Sequence, residues 1–145
     1  MSVDAIAPGC ILHWKGFKFA DGTTRNKYFV IVGTQPGKNF LAIIATSVAK
    51  NKSFEAGGHP EDGYYHIPGG GKDWFKKDTW LLFEEPQELS AAQLVKEVSA
   101  KNITMEGYLR HDIANAICNC MRKCQDVSEH HIGLLGPPAK PRKEA

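Results

Sequence analysis

The 145-residue chain has no apolar run approaching the roughly 20 residues that a bilayer-spanning helix requires. Its opening residues, MSVDAIAPGC, carry neither a basic start nor an extended apolar stretch. No secretory leader is read there, and a cytoplasmic location without membrane contact is expected. Charge of one sign is scarce: 18 basic against 16 acidic residues leave a net +2. The balance holds along the chain, with 10 basic and 9 acidic groups in residues 1–85 and 8 and 7 in residues 86–145. That excludes nucleic-acid binding by bulk charge across a wide basic face, so any such ligand must be held at a focused site. Cysteine is limited to Cys10, Cys118, Cys120 and Cys124. Three of these lie within seven residues of one predicted helix. That spacing makes a poor disulfide framework, and free thiols are expected.

What is present divides near Pro86. The first half reads as about five strands: 9–14 (GCILHW), 27–33 (KYFVIVG), 40–47 (FLAIIATS), 64–67 (YYHI) and 79–85 (TWLLFEE). They are rich in β-branched and aromatic residues and are separated by turn signals at Asp21-Gly22 and in TQPGKN. Several are apolar on both parities, which fits a small barrel partly covered on its outside. The second half reads as helices. Ser90 followed by Gln93 opens AAQLVKEVSAK with a capping box. A second helix is predicted over 105–124, its stripe formed by Leu109, Ile113, Ile117, Cys120/Met121 and Cys124. Ser128 starts a last turn closed by Gly136. The expectation is an α+β chain: one domain over 1–136, with a small β-barrel at 7–86, helices at 90–136 packed on it, and a disordered tail at 137–145.

Few residues carry chemistry. Arg25 and Lys27 share a parity at the start of an apolar strand and form one positive spot, unless they are simply a solvated junction. Thr46 and Ser47 end the next strand, and only one of them can share a face with that pair. A hydroxyl beside a cation can donate to a phosphate oxygen while the cation stabilises developing charge. His13 and His66 lie on strands, and a histidine side chain can serve as a general acid or base. Trp74, after the Gly run PGGGKDW, can stack on a base or pack on the sheet. That Gly run lacks the Lys-Ser/Thr ending of a phosphate-binding loop. CNCMRKCQDVSEHH lacks the paired ligand spacing of a zinc site. Cys120 and Cys124 fall on the apolar stripe, with Cys118 turned away from them, and no metal or other cofactor is expected.

The order PGCILHW, RNKYFVIVG, FLAIIATS, YYHI and WFKKDTWLLFEE, with a helix after it, resembles the MazF/PemK (Kid) toxin family. The likeness covers about residues 7–90; the helices beyond are longer than the family usually has. It implies an SH3-like β-barrel, a homodimer, and an antitoxin partner. It further implies cleavage of single-stranded RNA without metal, by attack of the 2′-hydroxyl to leave a 2′,3′-cyclic phosphate. In that alignment Lys27 takes the place of the catalytic arginine and Thr46 that of the catalytic hydroxyl. Beside these two, Arg25 of the same parity is expected to assist, and Ser47, His66 and Trp74 are expected to contact substrate, His66 as a reserve proton carrier. The chain departs from the pattern at Lys27-Tyr28, where the family has Arg-Pro. A lysine is a point charge without a planar fork, which favours the alternative: a non-catalytic SH3-like module binding a protein or nucleic acid.

Overall fold

The structure is a computed structural model describing residues 6–71 and 73–136. Seven strands form one antiparallel sheet: β1 Cys10–Lys18, β2 Thr24–Gly33, β3 Phe40–Thr46, β4 Gly57–His59, β5 Tyr64–Ile67, β6 Thr79–Leu89 and β7 Ile103–Tyr108. Three helices accompany them: α1 Ala91–Ser99, α2 His111–Lys123 and α3 Glu129–Leu135. The strand order is β4-β5-β6-β3-β2-β1-β7. The α+β class is as expected, but β4 and β7 stand at opposite ends unpaired with each other, so the sheet is open and not a closed barrel. The expected tail at 137–145 lies outside the described residues.

Strands apolar on both parities are explained by cover on both faces of the sheet. Ile11, Val30, Leu41 and Ile43 pack on one side with Ile117 and Met121 of α2 and Leu134 and Leu135 of α3. Their sequence neighbours Leu12, Ile31 and Ala42 pack on the other side with Leu94 of α1 and Ile103 of β7. Two layers of side chains therefore sandwich the sheet.

Two departures have clear causes. Residues 103–108, four of which fall within the expected 105–124 helix, form β7. Ile103, Met105 and Gly107 are buried or half-buried while Thr104, Glu106 and Tyr108 are exposed, which is strand periodicity. The division at Pro86 also fails, because Pro86 lies inside β6. Between the Leu82–Ile44 and Gln87–Ala42 pairings β6 passes through residues 83–86, where β3 has only Ile43. That bulge, entered through Glu85 at φ 51°, asks no ladder N–H of the proline.

The helix starts follow their signals. Ser90 Oγ accepts from the Gln93 N–H at 3.0 Å, and Ser128 Oγ from the His131 N–H at 3.1 Å. Gly136 ends α3 at φ 76°. Ser90→Ala is expected to lower unfolding free energy by about 1 kcal/mol, read from the urea midpoint at unchanged slope.

All four cysteines are free and buried. Cys118 is buried away from Cys120: its thiol faces the Val32 carbonyl of β2 at 3.5 Å, whereas that of Cys120 faces the Tyr64 carbonyl of β5. Packing against both sheet and α3 buries a wider arc of α2 than one stripe. Burial pushes the Cys10 and Cys120 thiols up to about 11 and raises Cys118 as well. These are core groups rather than nucleophiles.

Candidate functional site

At one end of the sheet β2 begins, β3 ends and β6 begins, and segment 74–77 crosses that edge. Between them lies a cleft of about 550 Å³. It brings Lys27, Thr46, Ser47 and Trp74 together, four of the six residues expected to act in catalysis or touch substrate. Lys76 and Lys77 line it too. The described lining thus holds three lysines and no carboxylate, a local bias that the near-neutral net charge conceals. A larger groove, about 980 Å³, sets Lys50 and Lys52 against Asp62, Glu84, Glu85 and Asp126 and has no such single sign.

Each side chain is placed by its strand. Lys27, half-buried, sits opposite Trp14 of β1. Thr46 is the last residue of β3 and faces Trp80 across β6. Its Oγ1 accepts from the Val48 N–H at 3.1 Å, so the oxygen is pinned while the hydroxyl proton remains to donate. Ser47, exposed, follows immediately.

Trp74 is half-buried and meets Tyr28 at 5.3 Å between ring centroids, edge to face. It sits over Gly107 of β7, where a Cβ would fall 2.8 Å from Trp74 Cδ1. The missing side chain makes the seat. Asp73, one residue earlier, lies 3.6 Å from the guanidinium of Arg110 just before α2, which ties this segment to the helical side.

Arg25 and His66 lie elsewhere. Arg25 is exposed, pairs with Phe17 and is not among the cleft residues. Between the Trp14–Lys27 and Phe17–Arg25 pairings β1 carries one extra residue, with Gly16 at φ 65°. Such a bulge increases local twist, so residues of equal parity diverge. Arg25 also acts with the Thr23 hydrogen bonds, which are the larger cause, in holding the Asp21 carboxyl below its ordinary value.

His66 is 1% exposed. Its Nε2 lies 3.0 Å from Asp78 Oδ1, its Nδ1 3.2 Å from the Glu55 carbonyl, and its ring stacks on Trp80 at 4.8 Å. With both nitrogens engaged and the ring enclosed, it reaches no substrate in this structure. The Gly69 N–H, followed by His66, holds the Asp78 carboxyl below its ordinary value of 3.8. Because folding depresses this pKa, its contribution is complete above that value and is lost as pH falls through the lower folded-state pKa. Asp78→Asn is expected to remove that part of the acid limb of stability, seen by comparing melting temperatures of both proteins from pH 6 to pH 2.

Sequence reasoning passed over Lys76, Lys77, Asn26 and Tyr28. The signal for the lysines was present, since WFKKD sets two cations beside two aromatic residues. Nothing in the sequence alone indicated that this segment crosses the strand ends. Compared with known proteins, the chain matches no family model, no curated protein and no solved structure.

Proposed function

We propose that the chain is an endoribonuclease of toxin type, cutting single-stranded RNA at the Lys27–Thr46 cleft. The observation that carries this reading is the cleft itself: a cation and a hydroxyl that the resemblance pairs lie on one lining, with two further lysines and no carboxylate. Lys27 holds a non-bridging phosphate oxygen, and the Thr46 hydroxyl donates a hydrogen bond to the same phosphate. The 2′-hydroxyl gives up its proton to solvent water as its oxygen bonds to phosphorus, and the 5′-oxygen takes a proton from water as its bond to phosphorus breaks, leaving a 2′,3′-cyclic phosphate and a 5′-hydroxyl. Lys76 and Lys77 supply the charge on neighbouring phosphates that a short RNA requires. The homodimer, the antitoxin partner and independence from metal come with the same resemblance and belong to the proposal. No helix among the described residues is long and apolar enough to cross a membrane.

A second reading, a nucleic-acid-binding module without catalysis, is favoured by one observation. The described cleft lining contains no histidine and no carboxylate to move a proton. One experiment separates them: purified protein, a defined single-stranded RNA and excess EDTA. Fragments ending in 2′,3′-cyclic phosphate establish the nuclease. RNA bound but left intact across many sequences establishes the module and ends the enzyme reading.

A further inference from the structure

Beside the phosphate cleft lies an aromatic row that the cleavage chemistry does not use. Tyr28 on β2 is 37% exposed and lines the cleft. Its ring lies 4.8 Å from that of His13 on β1 and 5.3 Å from that of Trp74. Trp74 in turn meets buried Phe75 at 5.1 Å and 88°. Phe75 also meets Tyr28, at 6.3 Å and 88°; none of the three neighbouring rings lies flat on Tyr28, and its exposed surface is what remains for a stacked base. His13 and Tyr28 are register partners on β1 and β2, which sets their two rings side by side.

A polar group stands at its end. Asn26 lines the same cleft, and its Oδ1 accepts from the Gly16 N–H at 3.0 Å. A backbone N–H needs an oxygen, so the amide orientation is fixed and Nδ2 is the end left to donate.

We infer that Tyr28, flanked by His13 and Trp74, is a stacking subsite for one unpaired nucleobase, with Asn26 Nδ2 donating to an acceptor on the base edge. The subsite rests on the reading of the cleft as a single-stranded RNA site. The charge of that cleft selects the occupant: three lysines without a carboxylate call for phosphates, and a flat exposed ring beside them calls for the base between those phosphates. Stacking also accounts for an exposed aromatic beside lysines, where a solvated polar residue would otherwise serve.

The test uses the full chain and an RNA with every 2′-hydroxyl methylated, which binds but cannot be cut. Affinity is measured by anisotropy for wild type, Tyr28→Ala and Tyr28→Phe, with an abasic nucleotide moved stepwise along the strand. Tyr28→Ala is expected to weaken binding roughly 5- to 150-fold, the range for one stacked base, and Tyr28→Phe to restore it. At one position the abasic nucleotide should cost wild type the same factor and cost Tyr28→Ala nothing more. Undiminished binding by Tyr28→Ala, or losses that multiply at every position, overturns the subsite and leaves the phosphate cleft standing. Failure of wild type to bind the RNA at low salt overturns both. Cutting of unmethylated RNA reports separately on the nuclease.

Discussion

Lys27→Ala is expected to lower the rate of single-stranded RNA cleavage by about 10²- to 10³-fold while leaving the fold intact. The magnitude is that of removing one preorganised donor from a site where charge develops in the transition state. Lys27 is only half-buried, and its Cα partner Trp14 packs on the sheet independently of the ammonium, so stability should change little. Thr46→Ala is expected to lose a comparable factor, with a small added cost because the Val48 N–H loses its acceptor. Lys27→Arg makes the sharper comparison. A guanidinium grips two phosphate oxygens at once, and the variant should cut at least as fast as wild type if the phosphate sits between Lys27 and Thr46. Lys76→Ala and Lys77→Ala should act on binding instead. Each should lower the salt slope by about 0.7, the value for one single-strand phosphate that is no longer neutralised. Cleavage unaffected by Lys27→Ala in a protein that does cut RNA moves the chemistry out of this cleft.

How far the site was legible follows from which interactions are local. Thr46 ends β3, one residue short of the expected strand end at Ser47, and Lys27 lies in β2 as its apolar register required. These are period-2 patterns that a short window contains. Arg25 diverged because a bulge in the partner strand, eight to eleven residues earlier, changes the twist beside it. No window around Arg25 records that. His66 read as a proton carrier because strand position does not reveal burial; its enclosure depends on Asp78, Glu55 and Trp80 arriving from other segments. Residues 105–108 read as helix because Leu109 and Ile113 continue into a true helical stripe, and the alternation of Ile103 to Tyr108 is short. The open sheet has the same origin. β4 is three residues of Gly-Gly-His with no apolar signal, and β7 pairs with a strand some 90 residues earlier. Closure of a sheet is a property of its edges, and both edge strands were the ones without a strong local signature.

Trp80→Ala is expected to cost about 3–5 kcal/mol, a larger stability loss than any other substitution named above. Trp80 is wholly buried, and its position joins three parts of the structure. It pairs with Thr46 on one side and His66 on the other, stacks on the His66 ring at 17°, and carries Phe54 edge-on at 5.2 Å. Its Nε1 donates to the Ser53 carbonyl at 2.9 Å. Truncation leaves a cavity beneath the 47–56 loop and exposes one face of a histidine whose two nitrogens are already committed. At this chain length the loss should appear as a drop in melting temperature of roughly 10–16 °C. Trp80→Phe keeps a ring against His66 and gives up the bond to Ser53, so it should lose clearly less. The consequence for function comes through Thr46, which takes its place from the β3–β6 pairing at Trp80. Below its lowered melting temperature, Trp80→Ala should therefore cut RNA more slowly than wild type with a smaller loss of binding, because Lys27 is held on β2 and exposed Lys76 and Lys77 attract phosphates by charge rather than by the β3–β6 register. A variant as stable as wild type would mean that the Trp80–His66 stack is not what holds this end of the sheet. A destabilised variant with undiminished cleavage would mean that Thr46 is held from elsewhere.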